Sequence, residues 1–551
     1  MLKGYQYLAK TLKAYGATHL FFQAAVLWKG VKEAADSGIT CVRAHSETAA
    51  GYMADGYARI AKRPGICAAQ SIGSANLVAG IHDAWLATSP VIALTGRRTS
   101  AFQDRNTYQE SDHKALFSGV TKFNCDVSDP MQFPFVLRQC FREAVTGKMR
   151  PVHMDLLGCN GEIFEEAEFD EPVYADPGFG SYPAFRPAAD EGMIREAAAE
   201  INAAQRPLII AGRGAHISGA GKAILELAQK GDIPVATTVD GKTIIDEGDP
   251  YWAGVLGFYG MSCTNKAAME SDLVIIVGSK TSDQTTMSWQ APQRDKKVIQ
   301  IDIAPDELGR NYPNSTVLLG DARVVVEQLT RAAEEKKRTG WREQAAVWLA
   351  GYLREQDELA KDEGVPIATA YLCKALSELM PDNAVLVSDT GYSAIWSATA
   401  VRMKSTQDFV RTSGTLGWAF PAAIGVKCGV PDRPVICLCG DGGFYYHLQE
   451  IETAVRSNIK TITVVNNNRM FAQNYHETLD EVYSRDEAKA KEYVGFGDVD
   501  FAGVAEMLGA RGIRVNRPEE LRPAFERALA ADRAVVLDVR TGTGVNPISS
   551  K

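Results

Sequence analysis

No stretch of about twenty consecutive apolar residues occurs in this sequence, which excludes an ordinary membrane-spanning helix. No CxxC pair occurs among its ten cysteines (41, 67, 125, 140, 159, 263, 373, 428, 437 and 439), so neither a zinc ribbon nor a disulfide framework is expected. Several of them, Cys437 and Cys439 among them, lie in apolar runs and read as small buried hydrophobes of a protein kept in the reducing cytoplasm. Positive charge is also short. The formal net charge is −9, and the longest basic run, Lys336-Lys337-Arg338, reads as a solvated helix end. Neither nucleic acid nor a membrane is therefore expected as a partner. The opening stretch "MLKGYQYLAKTLKAYGATHLFFQAAVLWKG" alternates polar with apolar residues, so no secretory leader is expected either.

What is present is an ordinary globular composition, 46% apolar and 23% charged, over 551 residues. That length exceeds one hydrophobic core. Helical and strand patterns alternate throughout, which predicts an α/β protein of three doubly wound parallel-sheet domains, at 1–165, 186–335 and 365–545. The strand-like runs are "THLFF", "GICAAQS", "PVIALTG" and "PVHMDLL" in the first block. In the second they are "RPLIIAGRGA", "IPVATTV", "SDLVIIVGSK" and "KVIQIDIAPDE". In the third they are "NAVLVSDTG", "RPVICLCGDGG", "TITVVNNN" and "AVVLDVRTG". Residues 161–187, acidic and then rich in Pro and Gly, read as a linker; residues 331–364 read as a charged helical connector. The first and third blocks share size and rhythm without a sequence repeat.

The stretch carrying most chemistry is "GDGGFYYHLQE", which ends a strand and opens a helix predicted over 444–457. Parallel sheets bind ligands beyond the carboxyl ends of their strands, and helix N-terminal N–H groups favour an anion such as phosphate. Asp441 would repel a phosphate unless a divalent cation lay between them, and Mg²⁺ takes carboxylate, amide and phosphate oxygens together. A second ligand belongs at the end of the next strand, and there "VVNNN" supplies Asn468. A GDG turn or an Asn run alone is an ordinary turn; the pair at this spacing is far more specific.

With these two stretches the sequence resembles the thiamine-diphosphate-dependent enzymes, in the acetohydroxyacid synthase (acetolactate synthase) branch. "HSETAAGYMADGYAR", "YQESDHKALFSGVTK", "GTLGWAFPAAIG", "PVATTVDGKTII" and "QIDIAPDELGRN" extend the likeness along nearly the whole chain. The resemblance implies a pyrimidine-binding, a central and a diphosphate/Mg²⁺-binding domain, with thiamine diphosphate and Mg²⁺ as cofactors. It implies Asp441, Asn468 and the backbone carbonyl of Met470 as metal ligands. Thr390, Gly391, Tyr392, Ser393, Gly414, Leu416, Gly442, Gly443 and Asn468 are implied as cofactor contacts, and Glu47, Gln109 and Gln23 as catalytic residues. Glu47 would hydrogen-bond the aminopyrimidine, stabilising the imino tautomer that takes the proton from thiazolium C2. A 2-keto acid would then add, lose CO₂ and leave a C2-carbanion/enamine for carboligation or protonation. For the central domain the resemblance implies FAD, with ADP or no ligand as the alternatives, on "AGRGAHISGAG" and "GVLGFYG". It also implies a homodimer or homotetramer with active sites at the subunit interface.

The departures from the branch concern substrate. Its "GYPGG" loop reads Phe22-Gln23-Ala24-Ala25-Val26, with Val26 where simple decarboxylases place Asp, and no adjacent His pair lies near "YQE". Both argue against release of a plain aldehyde. Its "FDDR" loop reads Thr281-Ser282-Asp283-Gln284, so the guanidinium that selects an acceptor carboxylate is replaced by an amide. Glu477 stands near the position of an expected Trp. These changes point to a second substrate without a carboxylate, or to another donor. Two alternatives stay open: a C–C lyase or hydrolase of the same cofactor acting on a 1,2-diketone or 2-hydroxyacyl compound, distinguished by pocket residues such as Gln23, Gln109, Gln284 and His476, and a non-catalytic regulatory homologue.

Overall fold

A computed structural model describes residues 1–338, 340–544 and 546–547. Residue 545, the far boundary expected for the third block, lies outside them. A short antiparallel ribbon joins β1 (Leu2–Lys3) to β8 (Glu168–Phe169). All other strands belong to three six-stranded parallel sheets.

The first sheet holds β2 (His19–Phe22), β3 (Thr40–Arg43), β4 (Gly65–Ala69), β5 (Val91–Arg97), β6 (Phe123–Asp126) and β7 (Val152–Leu157), in the order β3-β2-β4-β5-β7-β6. The second holds β9 (Pro207–Ala211), β10 (Val235–Thr238), β11 (Trp252–Leu256), β12 (Leu273–Val277), β13 (Lys297–Asp302) and β14 (Ser315–Leu319), in the order β11-β10-β9-β12-β13-β14. This is the dinucleotide-fold order, reversing between β9 and β12. The third holds β15 (Val385–Ser388), β16 (Asp408–Arg411), β17 (Val435–Gly440), β18 (Ile462–Asn467), β19 (Arg511–Val515) and β20 (Val535–Arg540), in the order β16-β15-β17-β18-β20-β19. Counted along the chain, the first and third sheets have the same order, a kinship that the sequence does not display as a repeat.

The inner four strands of each sheet are the runs expected from their continuous apolar character. In every sheet the two edge strands are additional. Between the first and third sheets the helices Glu47–Ala61 and Ala419–Gly429 cross within one apolar core that includes Met53, Tyr57, Trp418 and Phe420.

Three expectations need correction. The helix expected over 444–457 is two pieces, Asp441–Tyr445 and Glu450–Arg456. Glu450 turns inward at the break, where its carboxylate accepts from the His45 N–H (3.0 Å) and the Thr453 hydroxyl (2.7 Å). Arg338 is not solvated: it is buried in a loop, where its guanidinium donates to the carbonyls of Ile201, Ala204 and Gly231 at the ends of two helices. The supposed linker 161–187 is not slack, for it carries a short helix (Glu162–Glu166) and β8, and it buries Phe164, Phe169 and Tyr182.

Candidate active site

In the third sheet the strand order reverses between β15 and β17, and the loops leaving these strands frame a cavity of about 220 Å³. Thr390, Gly391, Tyr392 and Ser393 line one side of it. Asp441, Gly442 and Gly443 line another, and Asn468, Met470 and Leu416 complete it. The chain thus brings together every expected metal and diphosphate residue; Gly414 stands on the same loop as Leu416, at its exposed tip.

The donor set suits a hard cation. Asp441 is buried, and burial pushes its carboxyl up to about 7 although the Gly442 N–H (2.7 Å) and the Arg469 N–H donate to it. A divalent cation would relieve that cost. Of the three asparagines, Asn466 accepts from Thr541 (2.5 Å) and Asn467 donates to Asp538 (2.7 Å). Asn468 lines the cavity, and among the described residues its side chain meets only the Met470 N–H, at 3.2 Å. Gly442 has no room for a side chain, because a Cβ there would lie 2.4 Å from the Phe471 ring. Among the described residues no three of His, Cys, Asp and Glu gather as a metal site. The residues at this cavity that could meet a cation are the carboxylate of Asp441, the amide of Asn468 and the backbone of Met470.

The expected catalytic residues lie elsewhere, on the C-terminal rim of the first sheet. Glu47 opens the helix Glu47–Ala61, which Ser46 caps by accepting from the Ala49 N–H. The carboxyl is buried, takes a 3.1 Å hydrogen bond from the Asn76 side chain, and lies where a Cβ on Gly73 would stand. Gln109 adopts a left-handed backbone (φ +60°). The Ser71 hydroxyl donates to its carbonyl (2.6 Å) and the Cys159 thiol to its side-chain oxygen (3.2 Å). Gln23 follows β2, in a loop where Ala25 (φ +76°) and Leu27 (φ +44°) are also left-handed. None of these three residues lines the third-sheet cavity of their own chain.

A second cavity, about 450 Å³, opens where the central sheet reverses between β9 and β12. Arg213, Gly214, Thr238, Gly278, Asp302 and Asp321 are among its walls. Arg213 presents two buried guanidinium nitrogens, Nε and Nη2, that have no hydrogen-bond partner among the described residues. Burial pushes the Asp302 carboxyl up to about 6. "AGRGAHISGAG" therefore reaches this cavity; "GVLGFYG" does not line it. Beside it, Gln284 is not isolated from positive charge: Arg411 donates to its amide oxygen (3.1 Å) and to Asp240 (3.1 and 3.4 Å). His476 lies against Tyr392, ring to ring at 5.7 Å.

Sequence reasoning missed Asn76, Asp83, Asp389 and Arg411. Asp389 directly precedes the expected Thr390 in "SDTGYS", so it was within reach of the motif. The other three act across elements far apart in the chain.

Comparison with known proteins matches three family models in order: thiamine pyrophosphate enzyme, N-terminal TPP binding domain, over residues 2–116; central domain, over 194–329; and C-terminal TPP binding domain, over 389–539. Among curated proteins the chain is 31% identical to the "Probable acetolactate synthase large subunit" of Methanococcus aeolicus, covering 89% of this chain and 84% of that one. It is 30% identical to the protein of the same description from Methanocaldococcus jannaschii (98% and 92% covered). It is 31% identical to the "Acetolactate synthase large subunit" of Corynebacterium glutamicum (90% and 79%).

Proposed function

The chain belongs to the thiamine-diphosphate-dependent enzymes, in their acetolactate synthase-like branch, and from that premise we propose that it makes or breaks a carbon–carbon bond beside a carbonyl, with a 2-keto acid as donor. The observation that carries this reading is the single cavity at the third sheet's switch point, where a buried carboxylate, an asparagine amide and a Thr-Gly-Tyr-Ser loop converge. Bound thiamine diphosphate supplies the electron sink for such chemistry. Asp441, Asn468 and the Met470 carbonyl would hold Mg²⁺. Thr390–Ser393, Gly442 and Gly443 would hold the diphosphate, and Gly414 and Leu416 would bear on the rest of the cofactor. Glu47, one oxygen fixed by Asn76, would hold and move a proton. Gln109 and Gln23 would orient the substrate.

Because Glu47 does not line the cavity of its own chain, each site is proposed to combine two chains, in a homodimer or homotetramer. Mixing Glu47→Ala with Asp441→Ala chains is then expected to restore part of the activity; no recovery after verified subunit exchange overturns shared sites. The guanidinium nearest Gln284 is already engaged by Asp240, which favours an acceptor without a carboxylate. That acceptor would be an aldehyde, a ketone or a diketone.

The central cavity suits a nucleotide diphosphate. Arg213 offers unpaired donors to the phosphates, and Asp302 offers an acceptor to ribose hydroxyls. FAD and ADP share these groups, and the visible spectrum of the purified protein separates them. Ten unpaired cysteines accord with action in the reducing cytoplasm. Among the described residues no helix is long and apolar enough to cross a membrane.

The deciding experiment is calorimetric titration with thiamine diphosphate and Mg²⁺, followed by a panel of 2-keto acids and diketones with product identification. Binding that Asp441→Ala abolishes is expected. A folded wild-type chain that binds no thiamine diphosphate overturns the reading, and efficient acetolactate formation from pyruvate alone overturns the acceptor assignment.

A further inference from the structure

Leu416 reaches the cofactor cavity from residues 412–418, a loop without regular structure between β16 and the helix Ala419–Gly429. Its middle, Ser413–Leu416, is partly or fully exposed, with Gly414 the most exposed, yet its backbone donors are almost all taken. The Ser413 N–H donates to both oxygens of Asp83 (3.0 Å each) and the Thr415 N–H to one of them (3.2 Å). The Thr412 hydroxyl bridges the two partners: it donates to Asp83 (2.7 Å) and accepts from the N–H groups of Gly414 (3.1 Å) and Thr415 (2.9 Å). Beyond Leu416, the N–H groups of Gly417 and Ala419 donate to Asp389 (3.2 Å each).

Two buried carboxylates therefore grip the loop on either side of Leu416, and they come from different sheets' surroundings. Asp389 leaves β15 of the third sheet. Asp83 stands on the helix Gly73–Leu86 of the first sheet's layer, where Arg59 pairs with it (2.7 Å) and with Asp55 (2.5 Å). Arg59 also donates to the Arg411 carbonyl at the loop's entrance (2.5 Å) and lies over the Trp418 ring. Only an acceptor can meet several converging N–H groups at once, and an ionised carboxylate accepts without offering any donor.

We propose that Asp83 and Asp389, with the Thr412 hydroxyl between Asp83 and the backbone, are positioning residues that hold loop 412–419 so that Leu416 is set toward the cofactor cavity. This rests on the reading of that cavity as the thiamine diphosphate site. None of the three residues lines the cavity; Asp389 also accepts from the Thr390 N–H (2.7 Å) at the cavity's edge, so the grip on the loop alone is read at Thr412.

Thr412→Val and Thr412→Ser test it in the full-length protein with saturating Mg²⁺. Valine keeps the volume and removes the hydroxyl; serine keeps the hydroxyl and removes the methyl. The readouts are thiamine diphosphate affinity by calorimetry and the rate at which the C2 proton of the bound cofactor exchanges with deuterated solvent. Thr412→Val is expected to weaken affinity and slow exchange, each about tenfold, which is the worth of one hydrogen bond to charge. Thr412→Ser is expected to stay within about twofold of wild type on the same scale. A folded Thr412→Val equal to wild type in both readouts overturns the proposal, as does Thr412→Ser failing as badly as Thr412→Val. If Thr412→Val does not fold, Thr412→Ala, which removes the same hydroxyl with a smaller side chain, decides by the same two readouts. Wild-type protein that binds no thiamine diphosphate is a different failure, that of the functional reading itself.

Discussion

Gly425→Ala ought to stabilise this protein if helix propensity decided the matter, since alanine outscores glycine in a helix interior by about 1 kcal/mol. The packing of the two central helices predicts the opposite. A Cβ on Gly425 would lie 1.8 Å from the Met53 carbonyl oxygen and 2.6 Å from its carbon, and Gly56 meets the Ala422 carbonyl in the same way at 2.2 Å. Both obstacles are backbone of the facing helix, so no side chain can turn aside. Restoring ordinary contact requires the helices to part by about 1.5 Å along a seam packed at crystal-like density. Overpacking of this kind costs about 1–3 kcal/mol or more, and separation forfeits dispersion contacts along both helices. After subtracting the propensity gain, a net loss of about 2 kcal/mol lowers the melting midpoint by about 4–8 °C. The assay is thermal unfolding beside Gly351→Ala, whose new methyl in the helix Trp341–Leu359 meets nothing within 4 Å and should raise the midpoint. Gly425→Ala melting at or above wild type would refute the reasoning.

Three further outcomes are expected. Glu47→Gln should still bind thiamine diphosphate with Mg²⁺ but slow C2-proton exchange by about 10²–10⁴-fold, the usual worth of a positioned acid–base group; unchanged exchange removes Glu47 from that role. Ala25→Gly should raise the unfolding midpoint in urea by the equivalent of about 1 kcal/mol, because Ala25 holds φ +76°, where an L side chain is strained; a lower midpoint shows the methyl to be a packing element. Asp302 has its folded pKa raised by burial to about 6 from an ordinary 3.8, so its charged form costs stability as pH rises through that window and costs nothing below it. Asp302→Asn should therefore gain on wild type by about 2 kcal/mol between pH 4 and 7, and equal gains at both pH values would exclude titration as the cause.

The sequence disclosed the interior of each sheet and concealed its margins. Inner strands such as Leu273–Val277 are buried on both faces and read as unbroken apolar runs. Edge strands such as Thr40–Arg43 and Arg511–Val515 mix exposed with buried residues and carry no such signature. The residues lining the third-sheet cavity were legible because one switch point draws them from a few short motifs, "SDTGYS", "GDGG" and "NNNRM" among them. Asp83 and Arg411 were not, since Asp83 meets the Ser413 N–H and Arg411 meets Asp240, partners far along the chain that leave no local trace. The break after Tyr445 was hidden for the same reason: it depends on Glu450 reaching His45, which no local pattern announces.

Arg338 changes how the connector between the second and third sheets is held. Composition suggests that the charged stretch after the second sheet is a tether along all its length. Instead its beginning is fastened to the central layer by a guanidinium that collects three helix-end carbonyls, and the Trp341 indole adds a fourth anchor on Pro207 (2.8 Å). From there the helix Trp341–Leu359 carries the chain onward, and an unbroken exposed run follows at Lys361–Pro366. That short span is the exposed end of a connector otherwise anchored, and the two layers it joins are welded besides by one apolar core running from Ile209 to Val539.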